Sequence, residues 1–501
     1  MSRGMLATAL ALATFMQVLD TTIANVSIPT IAGNLGVSAD QGTWVITSFA
    51  VANGISVPLT GWLMQRFGVV RTFVTSVLAF TAASFLCGVA WSMSSLIAFR
   101  VLQGAVSGPM VPGSQALLLM IFPPQRRGTA LAIWSMTTLV APICGPLLGG
   151  KISDDYSWPW IFLINVPVGL LCAGISWSGL KKQETPTRRL PVDTIGLALL
   201  VVWVGTLQIM LDTGKDANWF DSPLIVLEAI VAVVGFVAFL IWELGEKHPI
   251  VDLSLFRGRN FALGSVTIVA GYAVFMGSVV LQPLWMQTWL GYTATWAGLI
   301  VAPSGVVAIL IAPFVGRIIG RVDARLIASL AFVAFGVSYF MRAGYTADAD
   351  FTTYMMPLLV QGIGMATFFV ATIAIVLDGV PEARIPEAAG LSNFTRITAG
   401  AFSVSIATTF WEDHAAHHQT RLAEVSSALD LRLQQAIEML GARGLSDVQA
   451  LGALTHELTG QAYLLSALDF FQICGWLCFA LIGLVWLTRR PHGPTGGGAA
   501  E

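Results

Sequence analysis

The sequence predicts an all-α integral membrane protein built from two six-helix bundles and an inserted helix pair. Three observations carry that fold class. Of 501 residues, 55% are hydrophobic and 11% charged, against about 25% charged in a soluble globular protein. Mean hydropathy is +0.76. The apolar residues gather into fourteen runs, each long enough for the roughly 20 residues that a hydrocarbon core about 30 Å thick demands of a helix. These figures exclude a soluble enzyme, a disordered regulator and a disulfide-stapled secreted module. A net charge of −2 offers nothing to a nucleic acid. Cys87, Cys144, Cys172, Cys474 and Cys478 all lie in apolar stretches, without metal-ligand spacing.

The first six spans fall at 5–33, 43–65, 70–90, 94–121, 128–152 and 158–180, before the most basic loop, and give an N-terminal bundle over 1–180. A secretory signal is the competing reading of the first, since Arg3 precedes an apolar run. That run is too long, contains Asp20 and leads into further spans. Two spans, 193–213 and 222–245, form the inserted pair within 181–259. Six more, at 260–290, 295–319, 324–344, 352–379, 387–411 and 463–488, build a C-terminal bundle over 260–490. The second and tenth spans each end in a Gly-punctuated basic turn, Gly61 to Arg71 and Gly316 to Arg325, as repeated halves would. Residues 491–501 read as a flexible Gly-rich tail.

Lys and Arg in short loops set orientation. With a cytoplasmic N-terminus, 18 of the 26 basic residues fall inside, and only Lys151, Lys215 and Arg342 fall in short outward loops. Both termini are therefore expected in the cytoplasm. The long outward loop, 412–462, carries Leu422, Val425, Leu429, Leu433, Ile437 and Leu440 at helical spacing. Ser446 with Gln449 reads as a capping box for a second short helix. Two readings stand for this periplasmic piece: a hairpin that packs on itself, or a docking surface for an extracytoplasmic partner. His414, His417 and His418 read as exposed histidines on a solvated helix, and no metal site is expected.

A charge at the bilayer centre costs about 2.5–3.5 kcal/mol on insertion scales, so each one needs a reason. At 1.5 Å per residue, Asp20 lies about 22 Å above the start of its span, and Arg100, on a span running the other way, about 21 Å above the inner surface. At equal depth the two can pair. Either they form a structural ion pair that fixes packing, or a coupling pair that substrate or conformation separates. The polar face of Gln17, Thr21 and Asn25 around Asp20 favours coupling beside a water-filled cavity. Gln103, Trp134, Phe275 and Gln282 are further cavity candidates. Glu228 stands alone on the apolar eighth span, Arg396 is expected to snorkel inward, and Asp212, Glu243, Asp378 and Asp469 lie near span ends, where solvation is cheap. The chain has no GxxxxGK[ST] phosphate loop, no HExxH helix, no Gly-x-Ser-x-Gly elbow and no TVGYG filter. It therefore reads as a transporter, not an enzyme, without a cofactor and with its energy drawn from an ion gradient or from the substrate's own.

Five ordered motifs then resemble a family. Leu19-Asp20-Thr21-Thr22-Ile23-Ala24-Asn25-Val26-Ser27-Ile28-Pro29 is similar to the first-helix motif of fourteen-helix drug:proton antiporters of the major facilitator superfamily. Gly61 to Gly68 resembles the superfamily's loop motif, Arg100 to Gly104 its fourth-helix motif and Ala141 to Gly150 its fifth-helix antiporter motif, with Trp160 to Pro167 following. Pro249 to Phe261 and Gly291 to Leu299 resemble EmrB-type multidrug efflux pumps specifically.

The resemblance implies a major facilitator fold and a proton-coupled exporter of amphipathic drugs or uncouplers in a bacterial inner (cytoplasmic) membrane. Asp20 would be its proton carrier, with Arg100 modulating that carboxyl's proton affinity. The partners implied are a periplasmic membrane-fusion adaptor and an outer-membrane channel. A dedicated exporter of one metabolite or fatty-acid class is the alternative on the same fold. Gly145, Gly149 and Gly150 offer small faces for close helix packing, and Pro142 and Pro146 remove backbone donors. With the resemblance, that helix seals the central path against proton leak. One departure matters: the loop motif usually carries Asp where Gln65 stands, so a charged latch there must be weaker or built differently.

Overall fold

The computed structural model describes residues 2–490 apart from 38, 124–125, 188–190, 192, 215–216, 248, 348, 426–430 and 443. Its N-terminal part runs through α1 (Arg3–Leu35), α2 (Ala39–Ser56), α3 (Thr60–Phe67), α4 (Val69–Gly88), α5 (Met93–Ser107), α6 (Met110–Ile121), α7 (Arg127–Asp155), α8 (Trp160–Leu163) and α9 (Asn165–Leu180). Then come α10 (Thr194–Thr213) and α11 (Pro223–Gly245). The remainder is α12 (Arg259–Trp289), α13 (Ala294–Ile318), α14 (Ala324–Arg342), α15 (Phe351–Val376), α16 (Ile385–Val425), α17 (Leu431–Ala442) and α18 (Asp447–Trp486). Short polar side chains start many of them: Ser92 and Ser446 in reciprocal capping boxes, and Asp193, Thr293, Asp323 and Asp350 as single caps. Each satisfies backbone donors that the first turn leaves free.

Eleven helices among the described residues are long and apolar enough to cross a membrane, or twelve if the bent pair α2–α3 is one span. That pair turns by 56° at residues 57–59, around Pro58. The fourth predicted span is likewise jointed, at Gly108-Pro109 between α5 and α6, where the missing proline donor breaks the ladder. The other two of the fourteen predicted spans are α7, several of whose residues lie outside those described, and α16, whose apolar stretch is interrupted by Glu387, Asn393 and Arg396. Both are walled by protein, α7 by α1, α6, α13 and α15, and α16 by α3, α6, α12 and α18. Polar residues inside a bundle meet other helices, not lipid. The opposite case is α11, which rests on α10 and leaves Leu224, Leu227, Ile230, Val233, Val237 and Ile241 exposed.

Two helices overrun their predicted spans. With 41 and 40 residues, α16 and α18 are each about 60 Å long, twice the hydrocarbon core of about 30 Å. Residues 412–462 are thus not a loop that begins where the spans stop. The spans simply continue, paired by Trp411 Nε1 to Tyr463 O (2.9 Å), Ser466 Oγ to Trp411 O (2.7 Å), His418 Nε2 with Asp469 Oδ2 (2.7 Å) and Gln419 Nε2 to Thr459 Oγ1 (3.1 Å). Of the three histidines read as exposed, His418 is engaged here and His414 stacks on Phe410 at 3.7 Å.

The basic loops gather at one end. There Arg127 Nη2 meets Glu382 Oε1 at 2.6 Å, and Arg384 pairs with both Asp252 and Glu387. Asp323, beside α14, is gripped by Arg325 (2.8 Å) and Arg490 (3.6 Å); the Arg325 hydrogen bonds hold its carboxyl below the usual carboxylate range. Gly128 of α7 and Gly316 of α13 cross so closely that a Cβ on either would sit 2.3 or 2.7 Å from the other's carbonyl oxygen.

Along the rest of α7 the neighbour is α1. A Cβ at Gly145 would lie 2.1 Å from Thr22 Oγ1, and one at Gly149 2.6 Å from Ile23 O. Because the second obstacle is backbone, it cannot rotate away. Gly149→Leu should therefore cost about 1–3 kcal/mol, the usual toll of overpacking, and lower the midpoint of thermal unfolding in detergent. An unchanged midpoint would show that α1 and α7 are not in register here.

Candidate functional site

Asp20 and Arg100 do meet. Arg100 Nη1 donates to Asp20 Oδ2 at 2.6 Å, and both side chains are fully buried. Gln103, one turn along α5, donates Nε2 to Asp20 Oδ1 (3.2 Å) while its Oε1 accepts from Arg100 Nη1 (2.8 Å). The guanidinium also donates from Nε to Val45 O of α2 (2.9 Å) and lies 4.2 Å from the Phe49 ring centroid. Its Nη2 is buried without an acceptor. A buried ion pair needs its remaining donors and acceptors satisfied to offset desolvation, and this one is satisfied on all sides but that.

Sequence reasoning missed one partner. Asn165, the first residue of α9, donates Nδ2 to Asp20 Oδ1 (2.9 Å) and to Ser84 Oγ (3.0 Å), and Ser84 in turn donates to Phe162 O (2.9 Å). The signal was there: Asn165 is a bare amide within an apolar span. Four elements, α1, α2, α5 and α9, therefore converge on one carboxylate and its cation.

The predicted cavity residues scatter. Gln17 is buried with Oε1 unpartnered, whereas Thr21 donates its hydroxyl to Val18 O of its own helix (2.6 Å). Trp134 donates Nε1 to Val111 O (3.3 Å) and sets its ring edge-on to Phe369. Phe275 stacks on Phe335, and Gln282 is buried beside Tyr345. Pro142 lies within unbroken α7. The side chain of Asn25, with Pro146 and Gly150, lies outside the described residues. Among the described residues, none of the predicted cavity candidates lines a cavity of about 890 Å³ at the basic end. That space lies between α3 and α6 on one side and the start of α16 on the other, with Met64, Leu119, Met120, Arg127 and Arg384 in its wall. Local polarity in a span reports burial, not which interior space a side chain faces.

Three other expectations need correction. Arg396 does not snorkel: it is 3% exposed, and its Nη2 donates to Asn393 Oδ1 (2.9 Å). Arg342, counted among loop residues, is the last residue of α14, 1% exposed, donating to Ser338 and Gln361. Glu243 is buried, accepting from Val251 N (3.3 Å). At the loop motif, neutral Gln65 lines the cavity, and the acid that reaches the adjoining turn comes from elsewhere. Glu184 accepts from Val70 N (3.0 Å) and Arg71 N (2.9 Å) at the start of α4.

Residues 10–404 match the Major Facilitator Superfamily profile. The chain is 47% identical to the multidrug export protein EmrB of Escherichia coli (strain K12), over 98% of this chain and 96% of that one. It belongs to the EmrB-type branch of the major facilitator superfamily. This EmrB-type transporter is also 45% identical to the fatty acid resistance protein FarB of Neisseria gonorrhoeae, over the same shares of both chains. In fold it is similar to the human organic anion transporter MFSD10 (TETRAN), with a TM-score of 0.58 over 97% of this chain and all of that one; at 12% identity this speaks for the fold alone. The EmrB-type chain is a multi-pass membrane transporter for multidrug efflux, and not an enzyme.

Proposed function

We propose that the chain exports amphipathic small molecules in exchange for protons, alternating the access of its two halves, with Asp20 as the proton carrier. The observation that supports this most is the buried Asp20 carboxylate, enclosed by Arg100, Gln103 and Asn165. A proton reaches Asp20 only when those donors part, and parting them requires α1, α5 and α9 to shift relative to one another. Protonation and conformation are thereby linked, as antiport requires. Arg100 sets the carboxyl's proton affinity by its distance.

The basic loops then face the cytoplasm with both termini, the membrane is a bacterial inner membrane, and the cavity at the basic end opens inward. The projecting α16–α18 pair stands on the periplasmic side, where an adaptor leading to an outer-membrane channel would seat. Reconstituted in proteoliposomes with an entrapped pH dye, the transporter should release protons when an amphipathic drug is added. Drug movement without any proton signal would refute the antiport reading. A second reading, export confined to fatty acids, is favoured by the likeness to FarB. A resistance panel in an efflux-deficient host separates the two, since a dedicated exporter protects against one chemical class alone.

A further inference from the structure

We propose that Arg396 is the residue that selects anionic substrates, pairing with the carboxylate or other acidic head of an amphipath in the middle of the transport path. The inference rests on the export reading above and names the group that would recognise the cargo.

Arg396 lies eleven residues into α16, about 16 Å from its start at the basic end and so near mid-membrane. No carboxylate pairs with it among the described residues. Its surroundings are aromatic: the guanidinium carbon is 4.6 Å from the Tyr272 ring centroid, 5.4 Å from that of Phe369 and 5.8 Å from that of Trp134. Those rings come from α12, α15 and α7, so the cage is shared between the two halves. Faces of aromatic rings steady a cation, and the Tyr272 hydroxyl also accepts a hydrogen bond from this one, so its polar partners among the described residues are neutral. A guanidinium offers five donors in a planar fork that matches a carboxylate.

A placeholder occupies part of that fork. Asn393 gives its Oδ1 to Arg396 Nη2 (2.9 Å), and its Nδ2 donates to Gln115 Oε1 of α6 (2.7 Å). The next residue, Ala116, is in the wall of the 890 Å³ cavity. A chain of hydrogen bonds thus runs from Gln115, one residue from the cavity wall, to the buried cation, bridging α6 and α16. An acidic head entering from the cavity exchanges the neutral amide oxygen of Asn393 for a charged one, while the aromatic cage takes the apolar body. A charge-assisted bond is roughly twice as strong as the neutral one it replaces, so entry is favoured and the bridge between halves is released at the same moment.

The test compares dansyl-undecanoic acid with its methyl ester, which differ in charge and hardly in size, binding to purified transporter in detergent. Wild type should bind the acid at least tenfold more tightly than the ester. Arg396→Gln should lower that ratio at least tenfold, and Arg396→Lys should keep part of it. Equal affinity of wild type for acid and ester overturns the assignment whether or not either variant folds, as does a ratio unchanged in Arg396→Gln. Proteoliposome export of both probes by wild type is measured in parallel. If neither moves, the export reading fails; if both move at equal rates with equal affinity, export stands and Arg396 is not its selector.

Discussion

Proteoliposomes carrying Asp20→Asn should still let substrate equilibrate, yet sustain no gradient of it when a proton gradient is applied. One proton crossing 100 mV supplies about 2.3 kcal/mol, enough for a substrate gradient of nearly fifty-fold. The wild type should approach that ratio if one proton moves per cycle, and the variant should fall to unity. The expectation follows from geometry. Asp20 is the carboxylate on which Arg100, Gln103 and Asn165 converge, and an amide in its place accepts from Arg100 but carries no proton between the two sides. Asp20→Glu, which keeps the titratable group, should retain part of the coupling. Coupling undiminished in Asp20→Asn would remove Asp20 from the mechanism and leave the pair a packing device.

The second large effect is on stability. Arg100→Ala strips the cation from a fully buried carboxylate, and breaking a buried pair from one side costs about 3–5 kcal/mol. Folded yield and the thermal midpoint in detergent should both drop sharply, and transport should be lost with them. The double variant Asp20→Asn, Arg100→Gln leaves no orphan charge. It should recover most of the stability while remaining uncoupled, which separates folding from proton transport. A single Arg100→Ala variant as stable as the wild type would show that water reaches Asp20 in the resting protein.

Much of this was legible in the sequence because the solvent is lipid. A helix crossing it must be apolar where it touches the acyl chains, so spans announce themselves, and a lone Asp and Arg at matching depth announce each other. Where protein replaces lipid as the neighbour, the same signal fades: α16 is surrounded by other helices and is correspondingly polar. Hydropathy reports what a residue faces and says nothing of where a helix ends. The polar stretch 412–462 therefore read as a loop with two short helices of its own, whereas α16 and α18 continue into it from the spans on either side. Arg342 went astray for a related reason, since a basic residue near a span end was counted as solvated when it is buried at the end of α14. Partners such as Asn165 and Glu184 lie far along the chain from what they bind, and no periodicity links them.

The continuity of α16 has a mechanical consequence. A single helix runs from Ile385, at the wall of the basic-end cavity, past Arg396 and on to Val425, well beyond the thickness of the bilayer. Paired with α18, it has the form of a stiff strut rooted in the C-terminal half. On the alternating-access reading proposed above, the tip would sweep as that half rocks, and an object resting on the tip would receive the cycle's timing without any ligand passing between them.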